Sequence, residues 1–160
     1  MKSLLLVIDL QNAFINNNTE NLPKKIKVLI KNKHYDEIAF TRFLNNSNSI
    51  FDKKLNYDRC INEEDRKIVI DIKNSKVFDK TVYSAVNNEL IKFITKNGIE
   101  EIYLCGIDTE CCILKTAFDL FELGYNVYVL KDYCGCTHGK IRHNNAINIL
   151  KRNIGKDYVI

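Results

Sequence analysis

The sequence predicts an α/β fold built on a parallel sheet with helices on both faces. Two observations predict it. Leu4 to Ile8 and Ile102 to Cys105 are continuous apolar runs, as expected of strands buried on both faces. Stretches with helical spacing of apolar residues alternate with such runs, which implies right-handed crossovers between parallel strands. The 160 residues suit a single domain, 1–160, with one sizeable core, and no repeat or linker interrupts them.

The elements follow in order. Leu4 to Asp9 reads as a first strand ending in a carboxylate. Pro23 to about Asn32 carries Ile26, Leu29 and Ile30 at helical spacing, and Pro23 fits a first helical position. Ile38 to Phe43 reads as a strand, and the polar, asparagine-rich Asn45 to Tyr57 as a surface loop beside a pocket. Asp65 to Ser75 fits either a strand, through alternating Ile68, Ile70 and Ile72, or a helical turn. Val77 to Lys80 is a short strand ending in lysine, and Asn87 to Asn97 a helix stopped by Gly98. The central strand Ile102 to Cys105 is broken by Gly106, and a helix starts near Thr109 and ends near Gly124. A strand from Asn126 to Leu130 ends at Asp132, a last helix spans about Lys140 to Arg152, and Tyr158 to Ile160 follows.

Composition narrows the function. Hydrophobic residues make up 46% and charged residues 28%, an ordinary globular balance. No apolar run approaches the roughly 20 residues that span a membrane. The N-terminal residues meet Asp9 too soon for a secretory signal, so the expected location is cytoplasmic. The six cysteines are poorly spaced for a disulfide framework and suit reduced thiols. Net charge is +4, but the one basic cluster, Lys24, Lys25, Lys27, Lys31 and Lys33, reads as a solvated helix face rather than a nucleic-acid surface. No Gly-x-Gly-x-x-Gly follows the first strand, which sets a nucleotide binder aside.

The chemistry gathers at strand ends. Cys111 and Cys112 lie in the first turn of a helix, where unpaired N–H groups and the positive end of the helix dipole favour a thiolate. Asp9, Lys80 and Cys112 each stand at or just beyond the carboxyl end of a strand. In a parallel sheet those ends point one way, so the three can share a crevice. Asp9 can act as the base that makes the thiol a nucleophile, Lys80 as the cation beside it. Backbone N–H groups between Asp108 and Cys112 can stabilise an oxyanion.

Three stretches resemble the isochorismatase-like cysteine hydrolases, a family that includes nicotinamidases. Leu5 to Phe14 is similar to the opening strand with its Asp and following Gln-Asn segment. Lys80-Thr81-Val82-Tyr83-Ser84-Ala85 is similar to Lys-x-x-Tyr-Ser-Ala, with Val86 where Phe is usual. Gly106 to Ile113, running on to Thr116-Ala117-Phe118-Asp119, resembles Gly-x-x-Thr-Glu-x-Cys-Val with Thr-Ala-x-Asp behind it, and selects Cys112 over Cys111. Gly124 to Val127 and the late His143, Ala146 and Leu150 extend the similarity across the chain.

The resemblance implies a three-layer, Rossmann-like αβα sandwich with a six-stranded parallel sheet. It implies a triad of Asp9, Lys80 and Cys112, a thioester formed on Cys112 from a small amide, and an oxyanion hole made by the N–H groups of Asp108 and Cys112. It also implies a cis peptide bond before Asp108, and a homo-oligomer, dimer or tetramer, acting on a small-molecule substrate. Nicotinamidases carry Asp-x-His-x-x-His after the second strand; here Thr41 to Ser47 holds no histidine, so neither a catalytic metal nor a cofactor is expected. Arg42, Phe43, Asn45 and Tyr83 are the candidates for holding substrate, Arg42 either by gripping a substrate carboxylate or by pairing with a structural aspartate. Cys134-x-Cys136-x-His138 invites a zinc reading, but its spacing is unlike common structural sites. Two rivals to an amidohydrolase are an isochorismatase-type enol-ether hydrolase, which Cys112 argues against, and a catalytically silent binding module of the same fold.

Overall fold

The computed structural model describes residues 1–160. Five strands, β1 (Lys2–Ile8), β2 (Glu37–Phe43), β3 (Lys76–Lys80), β4 (Ile99–Ile107) and β5 (Asn126–Gly135), form one sheet in the order β3-β2-β1-β4-β5. Every pairing is parallel. The helices are α1 (Leu22–Asn32), α2 (Ile50–Leu55), α3 (Glu63–Arg66), α4 (Asn88–Asn97), α5 (Leu114–Glu122) and α6 (Lys140–Asn153).

Alternation along β1 explains the three layers. Leu4, Leu6 and Ile8 pack with Leu90 of α4, Ala117 of α5 and Leu150 of α6. Leu5 and Val7 turn to the other face and meet Ile26 and Leu29 of α1. All five β1 side chains are fully buried, so β1 reads as an unbroken apolar run because both faces are covered.

The sheet has five strands where six were expected. The sixth position is a single parallel bridge, Val129 to Val159, held by Ile160 N–H to Val129 O at 3.0 Å and Lys131 N–H to Ile160 O at 2.8 Å. Val159 and Ile160 alone lie against the β5 edge after a 3-10 turn over Lys156–Tyr158, and two residues make too short a ladder for a strand.

Other boundaries differ: β5 runs past Leu130 and Asp132 to Gly135, pairing again with β4 through Cys134 and Gly135. Gly106 does not break β4 but continues it, pairing with Ile8. At φ +120° a side chain is disfavoured there, and a Cβ would lie 2.0 Å from the Ile8 carbonyl oxygen. The segment read as a loop, Asn45 to Tyr57, contains α2, capped by the Ser49 hydroxyl accepting from Asp52 N–H. Asp65 to Ser75 becomes α3 followed by irregular chain: Ile70 packs on the α1 face of the sheet, and a lone antiparallel bridge joins Ile68 to Gln11. Its alternating isoleucines reflect packing on that face rather than a ladder.

Candidate active site

The strand register brings the three distant residues together. Phe43 pairs with Lys80, and Ile8 with Gly106, so β1, β2, β3 and β4 all end along one edge of the sheet. Asp9 follows β1 in a left-handed conformation, φ 45°, and is fully buried. Its Oδ2 lies 2.7 Å from the Lys80 ammonium, whose Nζ is also 3.4 Å from Cys112 Sγ. Lys80 donates further to the carbonyls of Val82 and Tyr83, at 3.0 and 3.1 Å, so its position is set by four partners. Its Nζ also sits 5.2 Å from the centroid of the Phe43 ring.

Thr41, which the sequence analysis passed over, orients the base. Its hydroxyl donates to Asp9 Oδ1 at 2.6 Å and accepts from Asp9 N–H at 3.1 Å. The available signal was a fully buried polar residue inside an apolar strand, which requires a partner.

Cys112 sits where β4 gives way to a helix. The Ile107–Asp108 peptide bond is cis, as the resemblance implies. The helix begins as one π-type turn over Thr109–Ile113 before becoming α5. Two threonines fix this turn: Thr137 donates to the Asp108 carboxylate through N–H and hydroxyl at 2.6 and 2.9 Å, and the Thr109 hydroxyl lies 2.9 Å from Gly135 O and 2.8 Å from His143 Nδ1.

The electrostatics correct one expectation. Burial pushes the Cys112 thiol well above its ordinary value, and the Asp9 carboxylate adds to this, outweighing the opposing pull of Lys80. Burial thus opposes the thiolate that a helix start favours. Burial works against the Lys80 charge, but Asp9 and Cys112 more than offset it and raise its pKa. The arrangement is a buried Asp9–Lys80 pair with the Cys112 sulfur beside it.

A cavity of about 350 Å³ opens onto Cys112. Phe43 and Tyr83 line it as expected, joined by Phe14, Phe51, Leu55 and Tyr57. Phe51 bridges the two, its ring centroid 5.1 Å from Phe43 and 5.0 Å from Tyr83 in edge-on contacts. Phe51 and Leu55 were missed because α2 was read as loop. Asp108, Glu110, His138 and Arg142 supply the polar part of the wall.

Two of the four substrate-holding candidates do not reach this cavity. Arg42 makes a bidentate pair with Asp79 at 2.7 and 2.9 Å, the second of its two expected roles. Asn45 is buried, its amide donating to the carbonyls of Tyr57 and Arg59 and its carbonyl accepting from Ser49. These side chains also fail as a metal site: a paired guanidinium and a fully engaged amide offer a divalent cation no free donor. Cys134 parts from its motif neighbours, its thiol directed into the core toward Leu104 O, while Cys136 and His138 approach Glu110.

The comparisons agree with this architecture. Isochorismatase family protein 2A of Dictyostelium discoideum is 38% identical over 63 residues, 38% of this chain and 32% of that protein, so the matched stretch spans about a third of the relative. An isochorismatase-like hydrolase from Alkaliphilus metalliredigens superposes with a TM-score of 0.83 at 19% identity, covering 96% of this chain and 92% of that one. A pyrazinamidase of Pyrococcus horikoshii, solved in complex with zinc, gives 0.83 at 24% identity over 96% of both chains. These two likenesses establish a shared fold. The profile of the Isochorismatase domain matches residues 3–156, nearly the entire sequence, and the chain therefore belongs to the isochorismatase family.

Proposed function

We propose that the protein is a metal-independent cysteine hydrolase that cleaves a small amide-type C–N bond through a thioester on Cys112. The observation that carries this reading is the convergence of Asp9 and Lys80 on Cys112, which lines an aromatic cavity, with Lys80 Nζ within 3.4 Å of both partners' reactive atoms. In the proposed cycle Asp9 takes the Cys112 proton as Sγ attacks the carbonyl carbon. The N–H groups of Asp108 and Cys112 receive the oxyanion. Collapse breaks the C–N bond, and the departing nitrogen takes the proton from Asp9. Water, losing a proton to Asp9, then attacks the thioester, and Sγ leaves and is reprotonated. Lys80, 2.7 Å from Asp9 and 3.4 Å from Cys112, balances negative charge on sulfur.

The name of the Pyrococcus horikoshii structure, a pyrazinamidase, supports amide chemistry on this fold. Phe43, Phe51 and Tyr83 suit a small planar acyl group. The six free cysteines agree with a reducing, cytoplasmic setting, and no helix is long and apolar enough to cross a membrane. A homo-oligomer, dimer or tetramer, is the assembly we propose.

Ammonia release across a panel of small amides, ureides and carbamates tests the reading, with Cys112→Ala as control. Release that depends on Cys112 and is not lowered by a chelator is expected. Release from no compound, with Cys112 unreactive to haloacetamides even at raised pH, would point instead to a silent binding module.

A further inference from the structure

At the rim of the cavity the side chains of Glu110, Cys136 and His138 bring one donor atom each to within 4.8 Å of one another. They come from two elements: Glu110 from the π-type turn that carries Cys112, Cys136 and His138 from the chain just after β5. We propose that these three residues form a binding site for a thiophilic divalent cation, zinc above all, set in the wall of the active-site cavity.

The donor set selects the ion. Thiolate, imidazole and carboxylate together suit zinc and its softer relatives, whereas magnesium and calcium demand oxygen alone. Three protein donors leave a fourth tetrahedral position open to water or a cavity ligand. In a tetrahedral zinc site the donor atoms lie about 3.3–3.8 Å apart, given metal–ligand lengths near 2.0–2.3 Å. His138 Nδ1 and Glu110 Oε1 already stand 3.8 Å apart. No separation in the cluster exceeds 4.8 Å, so closing on an ion falls to the partly exposed Glu110 and exposed His138 side chains rather than to buried Cys136.

The frame is built, not incidental. Thr137, between the two motif donors, is fastened to the Asp108 carboxylate by two hydrogen bonds, and Gly139 N–H closes a turn on Cys136 O at 3.0 Å. Cys136 is buried and its thiol is pushed up to about 12, by burial first and by the carboxylates of Asp108 and Glu110 after it. A metal reverses that balance: its Sγ–H proton passes to water as the metal–sulfur bond forms. Arg142 stands 3.5 Å from Glu110 with a largely exposed side chain, so it can turn into solvent at little cost when a cation takes its place. Glu110 and His138 both line the cavity that opens onto Cys112. An ion held there stands against the cavity wall and away from the Asp9–Lys80–Cys112 cluster, which leaves the metal-independent reading intact.

Cobalt(II) and zinc binding to the intact protein decide the matter without reference to activity. Cobalt should give one equivalent of a thiolate-to-metal charge-transfer band, displaced by zinc, and zinc uptake should release about one proton per chain at neutral pH. The band should persist in Cys112→Ala. It should vanish in Cys136→Ser, and His138→Ala, a surface change that leaves the fold alone, should weaken zinc binding by about tenfold or more. A band lost in Cys112→Ala but kept in Cys136→Ser would place the metal on the nucleophile and overturn the proposal. Failure to bind one equivalent at micromolar zinc would overturn it equally, whatever the ammonia assay shows.

Discussion

The buried ion pair between Asp9 and Lys80 is the residue on which the site turns. Lys80→Met should leave the Asp9 carboxylate uncompensated and cost about 3–5 kcal/mol, readable as a fall in the urea midpoint. Cys112→Ala removes only a thiol that touches this pair; it should keep the fold and lower ammonia release by about 10⁴-fold or more. Thr41→Val is the finer probe. It deletes the hydroxyl bonded to Asp9 Oδ1 while keeping the side-chain volume, and should lower kcat by up to about 10²-fold with KM little changed. Equal loss in stability and activity would show Thr41 to be structural alone. The convergence of Asp9, Lys80 and Cys112 was readable in the sequence because each stands at or just beyond the carboxyl end of a strand, and parallel strands end together. Arg42 and Asn45 were not, because their partners lie elsewhere: Asp79 faces Arg42 across the β2–β3 register, and Asn45 closes on Tyr57 and Arg59. No single strand displays its neighbour's register.

At the scale of elements, continuous apolar runs and helix caps predicted most elements, and the exceptions have separate causes. α2 is six residues long, too short to show a period, and it is specified by its Ser49 cap and by Phe51 reaching the cavity. β4 runs through Gly106 because the missing side chain lets it lie against β1. Gly106→Ala would force its Cβ onto the Ile8 carbonyl and part the two central strands where Asp9 and Cys112 meet. It should cost more than about 4 kcal/mol, the extreme of single substitutions, seen as loss of the cooperative thermal transition. By contrast Gly98→Ala, at φ 64° after α4 with open space around it, should cost only about 1 kcal/mol.

Across the whole molecule, buried thiols set an alkaline limit. Burial pushes Cys105 and Cys134 above the ordinary 9.0, and Cys112 likewise. Below about pH 9 both folded and unfolded chains hold these protons and stability is unaffected. Above it the unfolded chain loses protons that the folded chain retains, so stability falls with rising pH, by up to about 1.4 kcal/mol per unit for each thiol. Urea midpoints measured from pH 8 to 10.5 should decline steadily, and Cys134→Ala should flatten the slope even as it lowers the plateau. A midpoint independent of pH over that range would contradict the buried state of these thiols.

The order β3-β2-β1-β4-β5 also has a consequence for synthesis. β1 leaves the ribosome first, yet its partner on one side, β4, begins only at Ile99. Until β4 and the helices α4, α5 and α6 follow, the apolar strand Leu4 to Ile8 has an open edge and an uncovered face. The nascent chain thus carries an apolar strand unprotected until they emerge, so dependence on a chaperone is greatest before that point.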